Sequence, residues 1–170
     1  MLMVVKIGVI SDTHLNRVTD PFKREVESLF KDVKVIIHSG DMTSLAVYDY
    51  LSNWELKAVR GNMDDYELMI TLPEKRIEVI GGKRVGIIHG RGAPYGIEDM
   101  IFREFAGIDL DLIIFGHSHM PVNTLRQNVV MFNPGAFSVT SRGGGKVGLI
   151  EIDEDSIRPY HVPTRLDGMR

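Results

Sequence analysis

Hydrophobic residues along this chain gather into short runs that stop abruptly at polar side chains. Five of them read KIGVI before Ser11-Asp12-Thr13-His14, VIIH before Ser39-Gly40-Asp41, LKAVR before Gly61-Asn62, RVGII before His89-Gly90 and LIIF before Gly116-His117-Ser118-His119. Apolar runs of about four to eight residues rich in Val and Ile read as buried strands. Ligands of open α/β sheets bind beyond the carboxyl ends of the strands. The pattern therefore predicts that two Asp, one Asn and four His share one sheet edge.

Between these runs the period changes. Phe22, Val26, Leu29 and Phe30 recur at helical spacing, which predicts a helix over 21–31 with Asp20 as its cap and Pro21 at its first position. Leu45, Tyr48 and Leu51 predict a second helix over 44–54, and a third is expected over 97–106. The stretch after Asn62, with Asp64 and Asp65, reads as a loop whose carboxylates serve a solvated turn or a cap. After Pro73 hairpins dominate: 76–80 with 84–89 around Gly81-Gly82, 122–126 with 129–132, and 147–152 with 157–162. Gly143-Gly144-Gly145 reads as a flexible loop. Strand–helix alternation followed by hairpins predicts an α/β fold, a four-layer α/β/β/α sandwich of two mixed sheets with flanking helices.

Composition narrows the chemistry. A chain of 170 residues with 44% apolar and 25% charged residues is expected to form one domain, 1–170, around a substantial core. The formal net charge of −3 argues against general nucleic-acid affinity and leaves room for a small anionic substrate held by metal. There is no cysteine, so a metal must be held by N and O ligands, and a cytoplasmic location is expected. The start, MLMVVKIGVI, lacks a basic region and a cleavage site and reads as a strand rather than a signal peptide. No run is long enough for membrane insertion. Oligomeric state is invisible at this level, and a homo-oligomer stays open.

Seven candidate ligands at five strand ends suit a two-metal hydrolytic centre. Asp-x-His at Asp12 and His14 turns two donors inward. Asp41 can bridge two cations, Asn62 supplies an amide oxygen, and His89, His117 and His119 supply imidazoles. In this order the motifs resemble the calcineurin-like metallophosphoesterases, in their small single-domain phosphodiesterase branch. The likeness runs from residue 6 to about 135 and includes Asn133-Pro134-Gly135. It implies that Asp12, His14 and His119 hold one divalent cation, that Asn62, His89 and His117 hold another, and that Asp41 bridges them. Manganese is the expected metal, with Ni, Zn or Fe as alternatives. A hydroxide shared by the metals would then attack a small phosphodiester substrate.

One position departs from the pattern. Many relatives carry a His after Gly-Asn that is proposed to assist the leaving group, whereas this chain has Gly61-Asn62-Met63-Asp64. Met cannot donate a proton, so no side-chain acid is assigned. His38, Arg91, Asn133 and Arg142 are candidates for substrate contact or for support of the ligands, while His161 reads as structural. The chain also resembles the phosphoesterase-like subunit of the retromer coat, which implies a rival function as a protein-binding scaffold with little activity.

Overall fold

The alternation of apolar and polar positions resolves into two mixed sheets of five strands each. The protein is seen here in a computed structural model that describes residues 4–138 and 145–165. The first sheet has the order β10-β9-β1-β2-β3, formed by β1 (Val5–Ile10), β2 (Val35–His38), β3 (Glu55–Ala58), β9 (Lys146–Ile152) and β10 (Ile157–Pro163). The second has the order β4-β5-β6-β8-β7, from β4 (Lys75–Ile80), β5 (Lys83–Ile88), β6 (Leu112–Ile114), β7 (Val122–Arg126) and β8 (Val129–Asn133). The parallel strands β1, β2 and β3 lie side by side, as do β5, β6 and β8. The ends of both sets therefore meet at one edge of the sandwich.

Three apolar layers hold the sheets and helices together. Ile7, Val9, Val35 and Ile37 of the first sheet pack against Val85, Ile87, Leu112 and Ile114 of the second. On the outer face of the first sheet, Ile10 and Ile36 bury Phe22 and Val26 of α1 (Asp20–Leu29) and Val47 and Leu51 of α2 (Leu45–Leu51). On the outer face of the second, Ile88, Ile113 and Met131 bury Ile97 and Ile101 of α4 (Ile97–Glu104). Strands covered on both faces explain why β1, β2, β5 and β6 read as continuous apolar runs rather than alternating ones.

The structure departs from the sequence expectation at three helices. Thr19, not Asp20, is the N-cap of α1, its hydroxyl accepting from the Phe22 N–H at 3.4 Å. Helix α2 stops at Leu51 because the chain turns through Ser52 to Trp54 so that Glu55 can pair with Lys34. The stretch after Asp65 is not all loop: it contains α3 (Tyr66–Thr71). Only Leu68 of α3 is buried, so no apolar stripe announced it, and Asp65 caps it through the Leu68 N–H at 2.9 Å. The expected glycine loop falls largely outside the described residues. Among the described residues, no helix is long and apolar enough to cross a membrane.

Candidate metal centre

The loops that leave β1 and β2 are tied to each other by backbone hydrogen bonds, as are those that leave β5 and β6. The Asp12 N–H donates to Gly40 at 3.0 Å, the His14 N–H to Asp41 at 3.2 Å and the Gly116 N–H to His89 at 3.1 Å. Asp12, His14, Asp41, His117 and His119 all have left-handed backbone, with φ between 50° and 66°. Such a conformation costs roughly 1–2 kcal/mol for a residue with a Cβ. It turns each side chain off the strand direction and into a common space, and backbone strain of this kind concentrates at functional sites. Two glycines let the loops close up. A Cβ on Gly61 would stand 2.1 Å from Asp41 Oδ1, and one on Gly116 would stand 2.1 Å from Ser11 Oγ.

The donor atoms converge without satisfying one another. His14 Nε2 and His119 Nε2 face each other at 3.3 Å, and Asp12 Oδ1 lies 3.2 Å from His119 Nε2. His89 Nε2 stands 3.3 Å from Asp41 Oδ2 and 4.0 Å from Asp12 Oδ1. Two groups result, Asp12 with His14 and His119, and Asp12 with Asp41 and His89, each with its donor atoms within 4.8 Å of one another. His117 stands outside both groups beside Asn62. Its Nε2 donates to the Gly92 carbonyl at 2.9 Å, which can only accept, and its Nδ1 lies 3.0 Å from Asn62 Oδ1. Five of the seven expected residues thus fall in these two groups, while Asn62 and His117 face each other beside them, the His117 ring centroid 5.2 Å from that of His89.

Each carboxylate has one oxygen held and one aimed. Asp12 Oδ2 accepts from the Ser11 hydroxyl at 2.5 Å and the His117 N–H at 3.2 Å, while Asp41 Oδ1 accepts from the Met63 N–H at 2.8 Å. His89 Nδ1 donates to the Ser39 carbonyl at 2.7 Å, which leaves Nε2 to the centre. Among the described residues, Asp12 Oδ1 and His89 Nε2 are buried side-chain atoms without a hydrogen-bond partner. A buried polar atom left unpaired costs about 1–3 kcal/mol. Orphaned lone pairs in a set of carboxylate, imidazole and amide donors fit a divalent cation of the Mn, Fe, Ni or Zn type.

The electrostatics agree. Burial pushes the Asp12 carboxyl up, but the close His119 imidazole, the charge of His89 and the Ser11 hydroxyl more than offset it, and the group stays below the ordinary carboxylate range. Asp41 follows the same balance, with burial opposed by His89 and the Met63 N–H. Both are anionic at neutral pH. Burial drives the His89 imidazole down, yet Asp41 and Asp12 together raise it, because they favour positive charge at Nε2.

Several supporting residues carry this geometry. His38 is fully buried. The Gly40 N–H donates to its Nδ1 at 3.2 Å, so Nε2 carries the proton and donates to Thr13 Oγ1 at 2.8 Å. Burial lowers its pKa to about 3, against the pull of Asp12, so it is a neutral tie between the Asp12 and Asp41 loops. Asn133, also fully buried, donates from Nδ2 to Gly116 O at 2.9 Å and Ser118 Oγ at 3.1 Å, and accepts from the Gly135 N–H at 2.9 Å. Its own carbonyl bonds His161 Nε2 at 2.8 Å.

Asp64 accepts from the Thr43 N–H at 2.8 Å and the Gly61 N–H at 2.7 Å, and burial raises its pKa. The Asp64 brace and the Ser11 contact to Asp12 were missed by sequence reasoning. Adjacency of Ser11 to Asp12 was one available signal; of the Asp64 contacts, that to Gly61 is local and that to Thr43 spans 21 positions. Arg91 pairs with Glu74 and Glu104 at the rim, and Arg142 lies outside the described residues.

The chain matches the calcineurin-like phosphoesterase superfamily domain over residues 5–155. It is 34% identical over 154 residues to a probable metallophosphoesterase of Methanothermobacter thermautotrophicus, covering 89% of this chain and 88% of that one. The structure of an archaeal phosphodiesterase superposes with a TM-score of 0.73 at 23% identity, covering 93% of this chain and 100% of that chain. Vps29 of Chaetomium thermophilum superposes with a TM-score of 0.73 at 20% identity, covering 94% and 99%. At these identities the two structures establish a shared fold.

Proposed function

The chain belongs to the calcineurin-like phosphoesterase superfamily, and from that premise we propose that this metallophosphoesterase hydrolyses phosphodiesters at a pair of divalent cations. The observation that carries the reading is the pair of buried, unpartnered atoms Asp12 Oδ1 and His89 Nε2, which flank Asp41 Oδ2. Asp12, His14 and His119 would hold one cation, and Asn62, His89 and His117 the other. Asp41 would be shared between them; its Oδ2 lies 3.8 Å from His14 Nε2 and 3.3 Å from His89 Nε2, while Oδ1 accepts from the Met63 N–H. The N and O donor set suits Mn, with Ni, Zn or Fe as alternatives.

When bound, such cations supply Lewis acidity toward phosphoryl oxygens and a water acidic enough to act as nucleophile near neutral pH. The protein's own part is to keep two carboxylates ionised and aimed. Ser11, the His117 N–H and the Met63 N–H fix their orientation, and His38 and Asn133 fix the loops that bear them. The side chains of His14 and His119 are 31% and 22% exposed, which leaves a solvent-facing side for substrate. Met63 cannot protonate a leaving group, and the His38 proton is committed to Thr13 in the interior. The departing alkoxide therefore takes its proton from solvent, which favours diesters with good leaving groups.

The scaffold reading rests on fold likeness to Vps29. It gives no use to strained ligand loops and orphaned buried donors, so the enzyme reading is preferred. The test is metal analysis together with hydrolysis of bis(4-nitrophenyl) phosphate. Two cations per chain and metal-dependent turnover are expected. A protein that binds no divalent cation, or turns over equally with and without chelator, would overturn the reading.

A further inference from the structure

Beside the candidate centre a cleft of about 240 Å³ opens among Arg60, Asn62, Met69, Glu74, His89 and Arg91. Sites for whole drug-sized ligands run to roughly 300–1,000 Å³, so this cleft seats one small group. Asn62 and His89 belong to both the cleft and the proposed centre. Whatever sits in the cleft therefore adjoins the reacting phosphodiester.

Two guanidinium groups in the cleft are anchored from their own walls. Arg60 Nη1 donates to Met69 O at 3.1 Å and Leu72 O at 3.4 Å, at the C-terminal end of α3. Arg91 Nη2 donates to Glu104 Oε1 at 2.6 Å. Glu74 lies between them with its side chain 60% exposed, 3.4 Å from Arg91 Nη1 and 3.7 Å from Arg60 Nη2. Strong contacts between Arg and carboxylate are about 2.7–2.9 Å. Exposed pairs of this looser kind are worth about 0–1 kcal/mol. Glu74 is thus a weakly held carboxylate between two guanidiniums, Arg60 tied to main-chain carbonyls and Arg91, itself 60% exposed, paired with Glu104. If it swings outward, Arg60, Arg91 and Glu104 leave one net positive charge.

We propose that this cleft binds a second anionic group of the substrate, a phosphate or carboxylate on its ester portion, with Arg60 and Arg91 as donors and Glu74 as the occupant it displaces. The proposal rests on the phosphodiesterase reading and narrows its substrate class. Diesters that carry a further negative charge, such as nucleotide diesters with an additional phosphate, are favoured over uncharged alkyl or aryl esters. The planar, forked donors of Arg suit phosphate and carboxylate alike.

The test uses two chromogenic diesters that differ in one group: thymidine 5′-(4-nitrophenyl phosphate) with and without a 3′-phosphate. For the metal-loaded protein, kcat/KM is expected to favour the 3′-phosphorylated ester by about tenfold, the size of one charged hydrogen bond. Arg91→Gln should bring that ratio close to unity, and Glu74→Gln should raise it. Arg60 is left unchanged because its carbonyl contacts also brace α3. A ratio that Arg91→Gln does not move overturns the subsite. A second measurement is independent of hydrolysis: calorimetric titration of the metal-free protein with thymidine 3′,5′-bisphosphate. Arg91→Gln should weaken that binding and Glu74→Gln should strengthen it. Equal affinity in all three proteins overturns the subsite even if diesters are hydrolysed. Binding that depends on Arg91 in a protein that hydrolyses neither ester supports the subsite and defeats the phosphodiesterase reading.

Discussion

The Met63 backbone N–H donates to Asp41 Oδ1 at 2.8 Å. Met63, which stands where the family resemblance implies a histidine, is thus bound through its main chain to the carboxylate proposed to be shared. That contact fixes which oxygen Asp41 presents to the centre and leaves the side chain of Met63, a residue 57% exposed, free to be changed.

Asp41→Asn should be the most damaging single change among the proposed ligands. The Asn carbonyl would take the Met63 N–H, and the NH₂ group would then point at His14 and His89, where a lone pair is needed. Loss of both cations and a fall in turnover beyond about a hundredfold are expected, since even residues that merely support a ligand cost roughly 10–100-fold. His14→Ala, which removes one neutral donor, should retain more metal. Metal content and diester turnover of the two variants decide it. An Asp41→Asn protein that keeps both metals contradicts the shared position.

Met63→His should raise turnover on diesters with poor leaving groups more than on nitrophenyl diesters. A positioned general acid is worth roughly 10²–10⁴-fold. The gain should fall at or below the low end, because both Asp64 oxygens are already engaged by Thr43 and Gly61 and cannot orient a new imidazole. Rates for an alkyl and a nitrophenyl diester at equal metal content provide the check. An equal change on both would count against an acid role for position 63.

His38 ties acid stability to the site. Its pKa lies at about 3 in the folded protein against 6.5 for an ordinary His. Between those values the unfolded chain binds the proton and the folded one does not, so stability falls as pH drops from 6.5 toward 3. In His38→Asn the Asn Oδ1 can still accept from the Gly40 N–H, but the side chain cannot titrate. The variant should be less stable at neutral pH through loss of the Thr13 bond, and its stability should depend less on pH across that window. Urea unfolding of the metal-free proteins from pH 7 to 4 measures this. Parallel curves would show that His38 is not the group responsible.

Asn133→Ala should destabilise the protein by about 1–3 kcal/mol, because the Gly116 carbonyl and Gly135 N–H lose their buried partner. It should also weaken metal retention through His117 and His119, which flank the bonded Ser118. Urea unfolding and chelator competition test the two effects separately. Unchanged metal affinity at reduced stability would confine Asn133 to a structural role.

The sequence by itself determined which side chains stand at the strand ends, because strand period and the abrupt stop of each apolar run are local properties. It also pointed to the layers, since strand–helix alternation followed by hairpins predicts two mixed sheets with helices outside. The cap at Thr19 and the short helix α3 escaped it, because several residues near a helix start can accept from the first N–H groups, and a helix with one buried residue has no stripe. Tertiary structure alone decided the pairing of donors. His14 and His119 are 105 positions apart, and their 3.3 Å approach depends on how β1 and β6 are placed in different sheets. It also decided that Asp12 offers Oδ1 and Asp41 offers Oδ2, because the partners of their other oxygens include N–H groups from distant loops. His38 looked equivocal in sequence and became a neutral tie only through complete burial between Thr13 and Gly40. Burial, and hence the charge of a titratable group, is a property of the packed whole rather than of any segment.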